Sequence, residues 1–142
     1  MTSLTLVRII KARPEIVFDL CVTAEGIARW WGPDAGPVVI SEADPRVGGR
    51  YRLRFRMLDG NEYETSGEFL EVTRPQRVRM TWLWDGDTDA TLIEMTLRPV
   101  PDGTELTFSQ SRFPDEKTAR GHEKGWSGSL DKLAAAAEKA AA

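Results

Sequence analysis

A chain of 142 residues, 41% of them apolar and 29% charged, has the length and composition of one globular domain (residues 1–142) that buries roughly two-thirds of its unfolded surface. Its formal charge of −3 excludes a general nucleic-acid binder, whose phosphate contacts need a net basic face. A single cysteine, Cys21, and a single histidine, His122, exclude an internal disulfide and a Cys/His zinc cluster, and no metal or cofactor is expected.

In chain order, Leu4 to Lys11 is rich in β-branched residues and predicts a first strand, closed by Arg13-Pro14. No leader is expected, because Met1 to Ile10 is interrupted by Arg8 and shows no cleavage-site pattern. Proline suits the first turn of a helix, so Pro14 to Cys21 predicts a short helix with Ile16, Val17 and Leu20 inward. A second short helix is capped by Thr23, carries Ile27, Trp30 and Trp31, and stops at Gly32-Pro33. Two glycines and two prolines make residues 32–37 a loop.

Nearly everything from 38 to 112 reads as strand. The clearest case is Arg50 to Met57, where Tyr51, Leu53, Phe55 and Met57 share one face and Arg50, Arg52, Arg54 and Arg56 the other. Asp59-Gly60 predicts a type I′ hairpin turn. The next strand, Glu62 to Thr73, places Glu62, Glu64, Glu68 and Glu71 across from the arginines, with Gly67 marking a bulge or bend. Arg77 to Trp84 follows with Val78, Met80, Trp82 and Trp84 on one face, then Thr91 to Arg98 with Ile93, Met95 and Leu97 inward, then Thr104 to Ser111 with Leu106, Phe108 and Gln110. No apolar run approaches the roughly 18 residues that cross a bilayer, and a cytoplasmic location is expected.

The last element is a long amphipathic helix on which His122, Trp126, Leu130, Leu133 and Ala137 fall along one face, running into an alanine-rich tail. It must bury that stripe against the sheet. An imidazole, an indole and nearby glycines on that face predict a lined cavity between helix and sheet rather than a solid core.

Several motifs have bland alternatives. The arginine stripe is an anion-binding surface or, as the favoured reading, a solvated face paired with glutamates. Asp85-Gly-Asp-Thr-Asp89 begins like a calcium loop, but its sixth position is Ala90 and its twelfth Thr96, so no calcium site is expected. Gly125-Trp-Ser-Gly128 approximates a nucleophile elbow, but the second glycine is one residue early and the segment lies within a helix. His122 is a general base, a polar anchor or a structural imidazole. Trp82, Trp84 and Trp126 are packing residues, cavity wall or both. Cys21, beside Leu20 and Val22, fits a buried, inert thiol.

Pro14-Glu-Ile-Val-Phe18, Trp30-Trp-Gly-Pro33, Asp44 to Tyr51, Gly67-Glu-Phe-Leu-Glu71, the strand ending at Trp82, and His122 to Trp126 with Leu130 and Leu133 form an ordered set over nearly the whole chain. In this order they resemble the activator of heat shock protein 90 ATPase homolog-like (AHSA-type) domains of the START-like, SRPBCC or Bet v 1-like, superfamily. The resemblance implies an α+β helix-grip fold, a curved antiparallel sheet of six or seven strands gripping a long C-terminal helix, with a cavity for apolar molecules between them. It also implies that some relatives bind ligands, some act as cyclases and some stimulate a chaperone, so it bears on fold more than on function. Where many members carry histidine on the last strand, this chain has Gln110.

The expected function is binding of a small apolar or amphipathic molecule, lipid-, polyketide- or aromatic-like, with no catalysis and no catalytic residue assigned. The expected wall comprises Tyr51, Leu53, Phe55, Met57, Tyr63, Phe69, Met80, Trp82, Ile93, Met95, Phe108, Gln110, His122 and Trp126. Two alternatives stay open. One is a cyclase- or dehydratase-like enzyme using the same pocket. The other is a chaperone-binding interaction module served by the arginine stripe and the Trp30-Trp31 pair. A chaperone and a second copy of this chain are the candidate protein partners.

Overall fold

The computed structural model describes residues 2–142; Met1 lies outside them. The elements run β1 (Thr2–Ile10), α1 (Pro14–Val22), α2 (Ala24–Ile27), β2 (Val38–Ala43), β3 (Arg50–Arg56), β4 (Glu62–Thr73), β5 (Arg77–Trp84), β6 (Thr91–Val100), β7 (Gly103–Phe113) and α3 (Glu116–Ala141). The seven strands form one antiparallel sheet in the order β1-β7-β6-β5-β4-β3-β2. The helix α3 lies against its inner face, which is the helix-grip arrangement. No helix among the described residues is long and apolar enough to cross a membrane.

Local chemistry accounts for the boundaries. Pro14 opens α1, and Thr23 both ends it and caps α2, its Oγ1 accepting from the Gly26 amide at 3.0 Å. The long helix begins at Glu116, six residues before the expected stripe, because Asp115 caps it by accepting from the Thr118 amide at 2.7 Å. Its buried residues include Trp126, Leu130, Leu133 and Ala137, the face that helical spacing selects. Cys21 is fully buried and its thiol is pushed up to about 12 by desolvation, reinforced by Asp19.

One turn and one strand irregularity depart from expectation. The β3-β4 hairpin is a three-residue loop rather than a type I′ turn. Gly60 N–H donates to the Met57 carbonyl at 2.9 Å and Gly60 alone takes positive φ, +92°, whereas a type I′ turn needs Asp59 there as well. In β4 the register shift falls between Phe69 and Glu71, after Gly67. Gly67 lies opposite Tyr51, and a Cβ on it would stand 2.7 Å from the Tyr51 ring and 2.0 Å from the Thr81 carbonyl oxygen. The missing side chain lets Tyr51 lie across β4 and donate its hydroxyl to that same Thr81 carbonyl.

The outer sheet face carries the arginine stripe, and the favoured reading of it holds. Arg52 meets Glu64 at 2.9 Å, Arg54 meets Glu62 at 2.8 Å and Glu64 at 3.1 Å, and Arg56 meets Glu62 at 2.9 Å. Glu71 instead pairs with Arg77 at 3.4 Å.

The loop after α2 is tied to α3 over a long sequence distance. Ser129 Oγ donates to the Gly32 carbonyl at 2.8 Å and Lys132 donates to the carbonyls of Trp31 and Asp34. Asp34 in turn accepts from the amides of Gly36 and Leu58 at 2.8 and 3.0 Å, which hold its carboxyl below the usual range. This approach depends on Gly128, where a Cβ would stand 2.6 Å from the Pro33 carbonyl oxygen. At Gly121, one helical stretch earlier, a Cβ would meet nothing within 4 Å. Both positions carry the same helix-propensity cost of about 1 kcal/mol relative to alanine. Gly121→Ala is therefore expected to raise the unfolding free energy by up to about 1 kcal/mol, while Gly128→Ala lowers it, as read by urea denaturation.

Candidate functional site

The sheet's inner face and α3 close on one another along most of their length, but not at the end where the β3-β4 hairpin and the β5-β6 turn project. There a cavity of about 330 Å³ remains. Its wall is drawn from five places: Trp31, Gly32 and Pro33 after α2; Phe55 and Met57 from β3 and its end; Tyr63 from β4; Trp82 and Trp84 from β5; and Gly121, His122, Gly125, Trp126 and Ser129 from α3. Strand alternation places Trp82 and Trp84 on one face, and helical spacing places His122, Trp126 and Ser129 on another. The cavity lies where those two faces meet.

The wall is aromatic. Trp82 and Trp84 rings meet edge to face at 4.4 Å, and the His122 imidazole stands 5.0 Å from Trp82, near perpendicular, and 4.9 Å from Phe113. Trp31 meets Trp126 at 4.9 Å and 89°. Phe55, Tyr63 and Trp84 form a second group with centroids 5.8 to 6.2 Å apart. Such pairs add about 0.5 to 1.5 kcal/mol each beyond their burial and hold the rings in place. The Trp82 indole N–H has no hydrogen-bond partner among the described residues.

Behind the wall runs a buried polar chain. Trp126 Nε1 donates to Gln110 Oε1 at 2.7 Å, Gln110 Nε2 donates to Thr91 Oγ1 at 2.8 Å, and Thr91 Oγ1 donates to the Trp82 carbonyl at 3.2 Å. Gln110 thus joins the helix to β6 and β5, and both ends of the chain are wall residues.

Of the residues expected in the wall, Phe55, Met57, Tyr63, Trp82, His122 and Trp126 line the cavity. Leu53, Phe69, Met80, Ile93, Met95 and Phe108 are fully buried in the core with Phe18, Ile27, Leu130 and Leu133. Tyr51 packs over Gly67, and Gln110 stands behind the wall rather than in it. These eight face inward as alternation requires, but they sit farther along the strands, where α1, α2 and the second half of α3 cover them. Sequence reasoning missed Trp31, Gly32, Pro33, Gly121, Gly125 and Ser129 as wall, and Trp84, weighed there as packing or wall, also lines the cavity. The signal that could have found the loop was Gly125 and Gly128 on the helix, since glycine in a helix marks a close neighbour or an open space.

His122 is the one imidazole of the chain and is partly buried among rings. Burial lowers its pKa from the ordinary 6.5, with no opposing charge to offset the effect. No aspartate, glutamate, lysine, arginine or cysteine is in the wall, so no acid-base pair is assembled around it.

Two expectations follow. Gln110→Leu leaves the Trp126 indole and Thr91 hydroxyl without their partner, so it costs roughly 1 to 3 kcal/mol in urea denaturation and alters the near-ultraviolet tryptophan signal. For His122 the folded pKa lies below the unfolded one. Its stabilising contribution is complete above about pH 6.5 and is lost as pH falls through the folded value. The single histidine ring resonance in proton NMR should titrate with a midpoint below 6.5, and unfolding free energy should fall on acidification through this window less steeply in His122→Phe.

The family model described as Activator of Hsp90 ATPase homolog 1-like protein matches residues 11–138. A crystal structure of a Chromobacterium violaceum protein superposes with a TM-score of 0.87 at 30% identity, covering 97% of this chain and 99% of that one. A crystal structure of an AHSA1 protein from Silicibacter pomeroyi gives a TM-score of 0.85 at 29% identity over 94% of this chain and 96% of its own. The solution structure of an AHSA1-like protein from Aeromonas hydrophila, at 23% identity, shares the fold with a TM-score of 0.82 over 98% of this chain and 94% of its own. No curated protein matches the chain. With the profile spanning all but the two ends of the chain, this protein belongs to the family of Activator of Hsp90 ATPase homolog 1-like proteins.

Proposed function

We propose that this protein binds a small, largely apolar molecule in the cavity under Trp126 and His122 and does not transform it. The observation that supports the reading is the wall itself: thirteen residues, six of them aromatic besides His122, lining a pocket of about 330 Å³ that opens to solvent. That volume lies at the lower end of ligand pockets and suits a molecule of two or three rings. Burying roughly 200 Å² of ligand surface at about 25 cal/mol per Å² yields about 5 kcal/mol before ordering costs, equivalent to a Kd of about 0.2 mM. Ring contacts worth about 0.5 to 1.5 kcal/mol each bring micromolar affinity within reach.

The enzymatic alternative has less to build on. A cyclisation or dehydration needs a positioned acid and base, and the wall supplies one imidazole and one phenol. The family description names an activator of a chaperone ATPase. The two features that the sequence suggested for chaperone docking are otherwise engaged. Trp30 and Trp31 are buried at 0% and 3% exposure, and the arginine stripe is paired with glutamates.

An environment-sensitive apolar fluorophore is expected to bind with one-to-one stoichiometry and to be displaced by members of a lipid, polyketide and polycyclic aromatic panel. Gly121→Phe, which adds a ring where the backbone borders the cavity, should weaken probe binding at least about tenfold while the protein stays folded. Unchanged probe affinity in that variant, or no binding by any probe, contradicts the proposal.

A further inference from the structure

The cavity does not end at its aromatic wall. Tyr63 and Trp84 also line an adjoining surface cleft, together with Arg54, Glu62, Glu64, Asp85 and Asp87. The charge of that cleft is unbalanced. Its one cation, Arg54, is engaged by Glu62 at 2.8 Å and Glu64 at 3.1 Å, and Arg52 and Arg56 complete the neutralisation of those glutamates. Asp85 and Asp87, exposed on the turn after β5, have no ion-pair partner among the described residues. A molecule lying in the cavity therefore has its outer end against the mutually packed rings of Tyr63 and Trp84, whose centroids are 5.9 Å apart, in a cleft that Asp85 and Asp87 also line.

Resting on the reading of the cavity as a ligand site, we propose that its ligand is an aromatic or aliphatic amine or quaternary ammonium compound. Its apolar body fills the space beneath Trp126, and its cationic head lies at Tyr63 and Trp84. Three properties of the site favour this class over a neutral or acidic one. The cavity wall holds no lysine or arginine, and the one cation of the adjoining cleft, Arg54, is already paired with Glu62 and Glu64, so a ligand carboxylate finds no free cationic partner. The π-faces of tryptophan and tyrosine attract cations, tryptophan most strongly. The carboxylates at Asp85 and Asp87 add an attraction that salt screens, over a Debye length of about 10 Å at 0.1 M.

The test uses the full chain and three probes built on one naphthylmethyl body: (2-naphthylmethyl)trimethylammonium, its uncharged isostere 2-neopentylnaphthalene, and the smaller anion 2-naphthylacetate. Binding is read by quenching of tryptophan fluorescence and by calorimetry. At low ionic strength the ammonium probe is expected to bind about tenfold tighter than its isostere, the range of a partly desolvated cation-π contact with charge assistance. That advantage should shrink to about threefold in the Asp85→Asn/Asp87→Asn variant and in 0.5 M sodium chloride, with the isostere's affinity unchanged. Trp84→Leu should remove most of the remainder. The inference is overturned if the isostere or the naphthylacetate binds as tightly as the ammonium probe, or if the advantage is the same in the double asparagine variant. If all three fail while a neutral apolar fluorophore still binds, only the choice of ligand class is lost. If no probe of any kind binds, the cavity reading falls with it.

Discussion

The hydrogen bond from the Trp126 indole to Gln110, 2.7 Å long and fully buried, is the constraint on which the site depends. A tryptophan buries roughly 200 Å², about 5 kcal/mol of apolar transfer at most, but burial alone is non-directional and does not say where along the sheet the ring settles. The bond to Gln110 does. It fixes the turn of α3 that carries Trp126 over β7 and β6, which puts His122 one turn earlier opposite Trp82 and Trp84. The helix is thus held at a height where its first half cannot close onto the ends of β3 and β5.

The other side of the opening is set by the Trp31–Asp34 loop. Its carbonyls are bound by Ser129 and Lys132, and its Asp34 carboxylate reaches the Leu58 amide at the β3-β4 hairpin. One short loop is therefore fastened to both the helix and the sheet, and it becomes a rim rather than a plug. Desolvation of Lys132 lowers its pKa and the nearby Asp34 raises it, so the partly buried ammonium is held chiefly by the carbonyls it satisfies.

Much of this was legible in the chain. The alternation Tyr51, Leu53, Phe55 against Arg52, Arg54, Arg56 gives β3 and both its faces, because a strand with one wet side has no other way to order its residues. The spacing of His122, Trp126, Leu130 and Leu133 gives the buried face of α3 for the same kind of reason. What periodicity cannot give is position along the strand. Phe55 and Leu53 point the same way, yet one borders the cavity and the other is packed beneath helices, and that difference is set by where α3 and the α1-α2 unit come to rest. The partners that decide it, Ser129 with Gly32 and Lys132 with Asp34, are nearly a hundred residues apart. Gly128 was the local trace of that contact, and as part of Gly125-Trp-Ser-Gly128 it was weighed as a catalytic turn when its role is to let Pro33 approach. Gln110 was likewise counted as a wall residue, since an inward amide on the last strand looks the same in sequence whether it meets a ligand or an indole.

The space framed by Trp82, Trp84, His122 and Trp126 is proposed to accept a molecule from solution. The most direct measurement is a crystal structure of the protein equilibrated with a brominated naphthalene, with bromine located by its anomalous scattering. One dominant bromine peak is expected inside that frame, with the Trp126 to Gln110 hydrogen bond intact. Bromine found only on the outer surface, with the frame collapsed or filled by its own side chains, would contradict it.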